Sequence, residues 1–236
     1  MKNIYFFIIL AATTLHTTPI HLSREQKKQL GTAIWHNECA GSIEKLTFWN
    51  PKEAFPSFGI GHCIWFPEKI NAPYTQTFPQ LIQFLRRRKV AIPNWLVATK
   101  HCPWRSQNEF ITNFNTPPMQ ELRTLLSTTI EDQTDFIITQ LENALPKILR
   151  ATPRRQRRHI KNQFNRLAAT PRGLYALIDY CNFKGDGTNQ REQRNGQGWG
   201  LRHVLTKMNA NATNPIEEFT QCAKELLTLR VKNAPE

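Results

Sequence analysis

Residues 23–66 read SREQKKQLGTAIWHNECAGSIEKLTFWNPKEAFPSFGIGHCIWF, and the pattern changes character within them. Ser23 with Gln26 three residues on is a capping-box spacing, which opens a helix. Leu30, Ile34 and Trp35 carry that helix on an apolar face, and Gly41 is placed to stop it. From Leu46 the period shortens. Leu46-Thr47-Phe48-Trp49, a turn at Asn50-Pro51-Lys52, and Ser57 through Trp65 read as a small β-hairpin that Pro67 closes. In the second strand Ser57, Gly59 and Gly61 share one face, and Phe58, Ile60 and His62 share the other. A face of serine and glycine has almost no bulk, so a polymer or another backbone can approach it closely.

The rest of the chain reads as mostly helical. Residues 79–89 form a short basic-ended helix, and 93–118, rich in proline and aromatics, form packed loops and turns. Residues 119–149 carry Leu122, Leu125, Leu126, Ile130, Phe136, Ile137, Leu141 and Leu145 at helical spacings. Helices over 154–168, 171–182, 198–209 and 215–231 complete the second half, the last opened by Asn214-Pro215. The expected class is therefore α+β and mainly α, with a small β-hairpin lobe near the N-terminus and a larger helical lobe. Hydrophobic residues make up 40% and aromatics 10%, which excludes a wholly disordered chain.

Leu30, Ile34 and Glu38 lie along one helix face at i, i+4 and i+8. Glu38 thus extends an apolar stripe and sits in the last helical turn, where the carbonyls make the potential negative. Both conditions disfavour a carboxylate, and a carboxylic acid kept protonated is what general-acid catalysis needs.

With the helix-end Asn37-Glu38-Cys39-Ala40-Gly41 and the hairpin's Ser57-Phe58-Gly59-Ile60-Gly61-His62, the sequence resembles the lysozyme-like superfamily. The nearest likeness is to phage-type lysozymes, whose helix-end glutamate precedes a hairpin with a Thr-x-Gly-x-Gly-His strand; Ser57 stands where that threonine would be. The resemblance covers about residues 30–66. It implies cleavage of the β-1,4 bond between aminosugars of peptidoglycan, by hydrolysis or by lytic transglycosylation, with the cleft between the two lobes. It also implies Glu38 as the acid. Glu44 is the alternative, because Glu44-Lys45-Leu46 faintly resembles the phage-type Glu-Gly-Leu and stands eight residues before Glu53. Glu53 in the hairpin turn is the expected second carboxylate, and Ser57 is placed to position a water. Trp49, Gly59, Gly61 and His62 are expected to line the substrate site. Later in the chain, Asn182 and Gln197 offer amides and Trp199, flanked by glycines, offers a stacking platform. Asp179, Asp186 and Glu192 are further carboxylates near that stretch. No cofactor or metal is implied. Cys39, His62 and Cys63 with His36 leave open a cysteine–histidine peptidase or a zinc site, and a catalytically inactive glycan-binding module is the other alternative.

Lys+Arg number 31 against 18 Asp+Glu, a formal net charge of +13, which points to a polyanionic partner. Lys2 and the apolar run Ile4 to Ala12 have the shape of a secretory signal and are too short to span a bilayer. Residues 1–19 are thus expected to be a signal peptide or N-terminal anchor, and 20–236 a single exported domain, periplasmic or secreted. Export favours peptidoglycan or a related aminosugar polymer over nucleic acid as the partner. The basic stretch from Arg150 to Arg172 has few aromatics interleaved, unlike single-strand binders. Five cysteines leave at least one thiol unpaired within the chain, and a bridge in an exported protein is allowed but not demanded.

Overall fold

A computed structural model describes residues 19–72, 74–189, 193 and 196–233. The expected leader, apart from residue 19, and Glu192 lie outside the described residues. The described residues are mainly helical, 61% helix and 4% strand, with one small antiparallel sheet. Helix α1 (Arg24–Cys39) begins with the expected capping box: Ser23 Oγ accepts from the Gln26 amide and the Gln26 side chain accepts from the Ser23 amide. The helix ends as Ala40 and Gly41 enter the left-handed region at φ 51° and 67°.

A single 3₁₀ turn (Glu44–Leu46) leads into the sheet, whose strands β1 (Thr47–Phe48), β2 (Ser57–Phe58) and β3 (Cys63–Ile64) pair in sequence order. Thr47 opposes Phe58, and Phe58 in turn opposes Cys63. One expectation fails here. Ser57 through Trp65 is not one alternating strand, because Gly59 and His62 both adopt positive φ, 73° and 47°. Residues 59–62 instead form a tight turn closed by the His62 amide donating to the Gly59 carbonyl at 3.2 Å.

The sheet has its own aromatic core. Phe58 and Trp65 are fully buried and pack on Phe78, the first residue of α2 (Phe78–Arg87), with ring centres 4.7 and 4.8 Å away. The stretch expected to be loops carries two short helices, α3 (Asn94–Ala98) and α4 (Gln107–Thr112). Their Trp104–Phe110 region closes over Phe58. The helical stretch expected over 119–149 is built as two helices, α5 (Pro117–Thr128) and α6 (Ile130–Arg150), broken at Thr129. Pro146 is accommodated inside α6.

Helices α7 (Arg154–Ala168), α8 (Pro171–Lys184), α9 (Leu201–Lys207) and α10 (Pro215–Lys232) pack on one another beside α6. Thr170 Oγ1 caps α8, and Asn214 Oδ1 caps α10 at the expected Asn214-Pro215 start. Helix α1 lies along α6 and α8, joining the sheet to the helical body. At Gly31 a side chain would meet Thr134 Oγ1 of α6 at 2.3 Å, so the glycine sets how closely α1 approaches. Lys27 and Arg88 both bind Asp135, at 2.8 and 2.9 Å, and tie α1 and α2 to the same point of α6. No helix among the described residues is long and apolar enough to cross a membrane.

Candidate active site

Leu30 and Ile34 are buried, as the stripe predicts, and Glu38 follows them at the end of α1 with its side chain 24% exposed. Three groups converge on it. His62 Nδ1, from the β2–β3 turn, lies 3.5 Å from Glu38 Oε2. Asn37 Nδ2 is 3.5 Å from Glu38 Oε1 and donates to Asp179 Oδ1 of α8 at 3.1 Å. The Tyr175 phenol, one turn earlier on α8, is pushed up first by burial and then by the charges of Asp179 and Glu38. Burial also raises the pKa of Asp179. The site is thus the meeting point of the sheet turn, the end of α1 and one face of α8.

The turn is held from behind by a residue the sequence reading missed. Gln133 of α6 is 1% exposed. Its Oε1 accepts from the Ile60 amide at 3.0 Å, and its Nε2 donates to the Leu126 carbonyl and Thr129 Oγ1 at 2.6 and 3.1 Å. One signal was available: a polar residue between Ile130 and Ile137 on the apolar stripe of α6. This arrangement corrects the expectation for Gly59 and Gly61. Their bare sides face α6, not an open cleft. A Cβ at Gly59 would meet Gln133 Oε1 at 2.3 Å, and one at Gly61 would meet Ile137 Cδ1 at 3.0 Å. The glycines allow the turn to seat on the helix. His62, stacked on exposed Phe48 at 6.4 Å between ring centres, is the member of the motif that reaches Glu38.

Several other expected site residues are placed elsewhere. Trp49 is 6% exposed, donates its indole N–H to the Glu53 carbonyl at 2.9 Å and packs edge-on against Phe110. It is a core residue and cannot stack on a substrate. Ser57 is 8% exposed within β2. Glu53 is exposed in the β1–β2 turn, its amide bonded to the Asn50 carbonyl. Trp199 accepts from Tyr180 Oη through its carbonyl and carries Arg230 5.3 Å from its ring centre. Asn182 and Gln197 are exposed. Among the described residues, no hydrogen bond, ion pair or ring contact joins Glu53, Asn182, Gln197 or Trp199 to Glu38. Asp186 is committed to its own loop, accepting from the Thr188 amide and hydroxyl.

Glu44 has a different environment from Glu38. Ser42 Oγ donates to its Oε2 at 2.5 Å, and that bond, a backbone hydrogen bond and nearby Arg123 hold its carboxyl below the ordinary value. Arg123 is itself buried, donating to Thr47 Oγ1 and the Phe114 carbonyl. Cys39 Sγ is 4.0 Å from His62 Nε2, the spacing that a cysteine–histidine pair invites. Burial, and secondly the Glu38 charge, push that thiol up to about 12, opposite to what a nucleophilic thiolate needs. Among the described residues no three metal-binding side chains gather.

Two open grooves meet at Tyr175 and Ala176. One, about 640 Å³, runs between α1 and α8 past Gln29, Ala33 and Arg172. The other, about 590 Å³, runs between α8 and α10 past Asp179 and Phe183. No family model, curated protein or solved structure matches the chain.

Proposed function

We propose that the protein is an exported glycosidase of lysozyme-like fold that cuts β-1,4 bonds between the aminosugars of peptidoglycan. The observation that carries the reading is the position of Glu38. A half-buried carboxyl at a helix end lies against a histidine from a small sheet, and the neighbouring Asn37 amide bridges to a second carboxyl on the helical lobe. That arrangement supports a general acid at the junction of sheet and helices. Glu38 gives its proton to the glycosidic oxygen as the bond to the sugar breaks. Glu44 suits this role poorly, because its surroundings favour the ionised form. The grooves along α8 offer an extended surface for a polymer that passes the site. The positive surface then keeps the enzyme on an anionic wall.

The test is digestion of purified peptidoglycan by the wild type and by Glu38→Gln and Glu44→Gln, with products identified by mass. Wild type and Glu44→Gln release muropeptides, and Glu38→Gln is slower by about 100-fold or more. Reducing ends identify a hydrolase, and anhydro ends a transglycosylase. Full activity in Glu38→Gln removes the acid from that position. A wild type that sediments with peptidoglycan without cutting it is a binding module, and the proposal fails.

A further inference from the structure

We propose that Asp179 is the second carboxyl group of this site, working opposite Glu38 in the place expected of Glu53. The inference rests on the glycosidase reading and names the residue that completes it. Helix α8 packs against α1, and Asn37 spans the gap between their carboxyls. Its Nδ2 is 3.1 Å from Asp179 Oδ1 and 3.5 Å from Glu38 Oε1. The two oxygens therefore lie no farther apart than those lengths laid end to end. Carboxyls that flank one glycosidic bond are roughly 5–5.5 Å apart when the second is a nucleophile and roughly 6.5–9.5 Å apart when it is a base, and the ceiling set through Asn37 just reaches the second range. Tyr175, one turn before Asp179 on α8, has its phenol raised first by burial and then by both charges.

Glu53 meets none of these conditions. Its side chain is exposed on the hairpin turn, and no contact among the described residues links it to Glu38. Asp179 is half-buried, and burial makes it a stronger base than a solvated aspartate. The step balances without any reagent but solvent. Glu38 passes its proton to the departing glycosidic oxygen as the bond from C1 breaks. The attacking hydroxyl, from water or from the sugar itself, bonds to C1 and gives its proton to the Asp179 carboxylate. Solvent then carries that proton back to Glu38. The Asn37 amide, donating to Oδ1, keeps the aspartate turned toward Glu38.

The experiment uses the full chain and soluble glycan strands from peptidoglycan, comparing Asp179→Asn, Glu53→Gln and Glu38→Gln with wild type. An asparagine at 179 still accepts from Asn37, so the melting temperature should stay within about 2 °C. The expected result is a fall in kcat of about 100-fold or more with KM within about threefold, the signature of a group acting in the transition state. Asp179→Asn within about threefold of wild type, beside an inactive Glu38→Gln, overturns the inference and leaves the glycosidase reading standing. A loss that appears in Glu53→Gln and spares Asp179→Asn overturns it in favour of the hairpin. A fully active Glu38→Gln, or a wild type that yields no products, removes the reading and the inference together.

Discussion

Replacing Gln133 by leucine should separate the sheet turn from the helical body. The side chain is almost completely enclosed and makes three hydrogen bonds. Leucine fills a similar volume and makes none. The Ile60 amide then loses its acceptor and the Leu126 carbonyl loses a donor, both away from water. Each buried, unpaired group costs about 1–3 kcal/mol, so the pair costs about 2–6 kcal/mol. For a chain of this length each kcal/mol moves the midpoint by about 2–4 °C, which gives a fall of about 5–20 °C in thermal unfolding followed by circular dichroism. Gln133→Glu adds a control with a definite sign. A carboxylate at 133 still accepts from Ile60 but cannot donate to Leu126, whereas the protonated acid can. Burial raises the folded-state pKa of such a glutamate above the unfolded value of about 4.3. Its stability is therefore greatest below that pH and declines as pH rises through the folded value. A Gln133→Leu midpoint within about 2 °C of wild type would refute the argument that this one side chain seats the turn.

Other outcomes follow from single contacts. Gly59→Ala forces a methyl toward Gln133 Oε1 at a positive φ, so it should unfold at lower temperature than wild type and reduce activity through His62. His203 is held neutral, its pKa pushed down to about 4 by burial and then by Arg202. The unfolded chain takes up that proton near pH 6.5 and the folded one does not, so stability falls as pH drops from about 6.5 to 4. His203→Gln should flatten the melting temperature across that window. Ser42→Ala removes the donor to Glu44 Oε2, and the Glu44 titration midpoint, followed by NMR, should rise toward the ordinary range. Replacing Arg154, Arg155 and Arg158 by glutamine should weaken sedimentation with peptidoglycan and flatten its salt dependence, since these side chains are exposed and α7 has no acidic residue in its first turn.

The helices were legible because their signals are local. Ser23 with Gln26 and Asn214 ahead of Pro215 each satisfy an end within four residues of chain. The glutamate at the end of an apolar stripe was legible for the same reason. The hairpin was misread where alternation and a turn leave the same trace. Ser-Phe-Gly-Ile-Gly-His has period two, yet the positive φ at Gly59 and His62 is fixed by α6, which lies more than seventy residues away. Trp49 is expected at the substrate site because nothing nearby in sequence announces Phe110 as its neighbour. Asp179 was visible as one carboxylate among several. Only the packing of α8 on α1 singles it out, through Asn37.

The five thiols have a practical consequence. All are free; Cys39, Cys63, Cys102 and Cys222 are buried, and Cys181 is partly so. Burial holds them protonated, at about 12 for four of them and about 11 for Cys222. At neutral pH a thiol of that kind is a thiolate roughly once in 10⁴–10⁵ molecules, and the thiolate is the species that oxidises or exchanges. The folded protein should therefore ignore the redox state of its surroundings. It should reach the same structure, with the same melting temperature, in reducing and oxidising buffer.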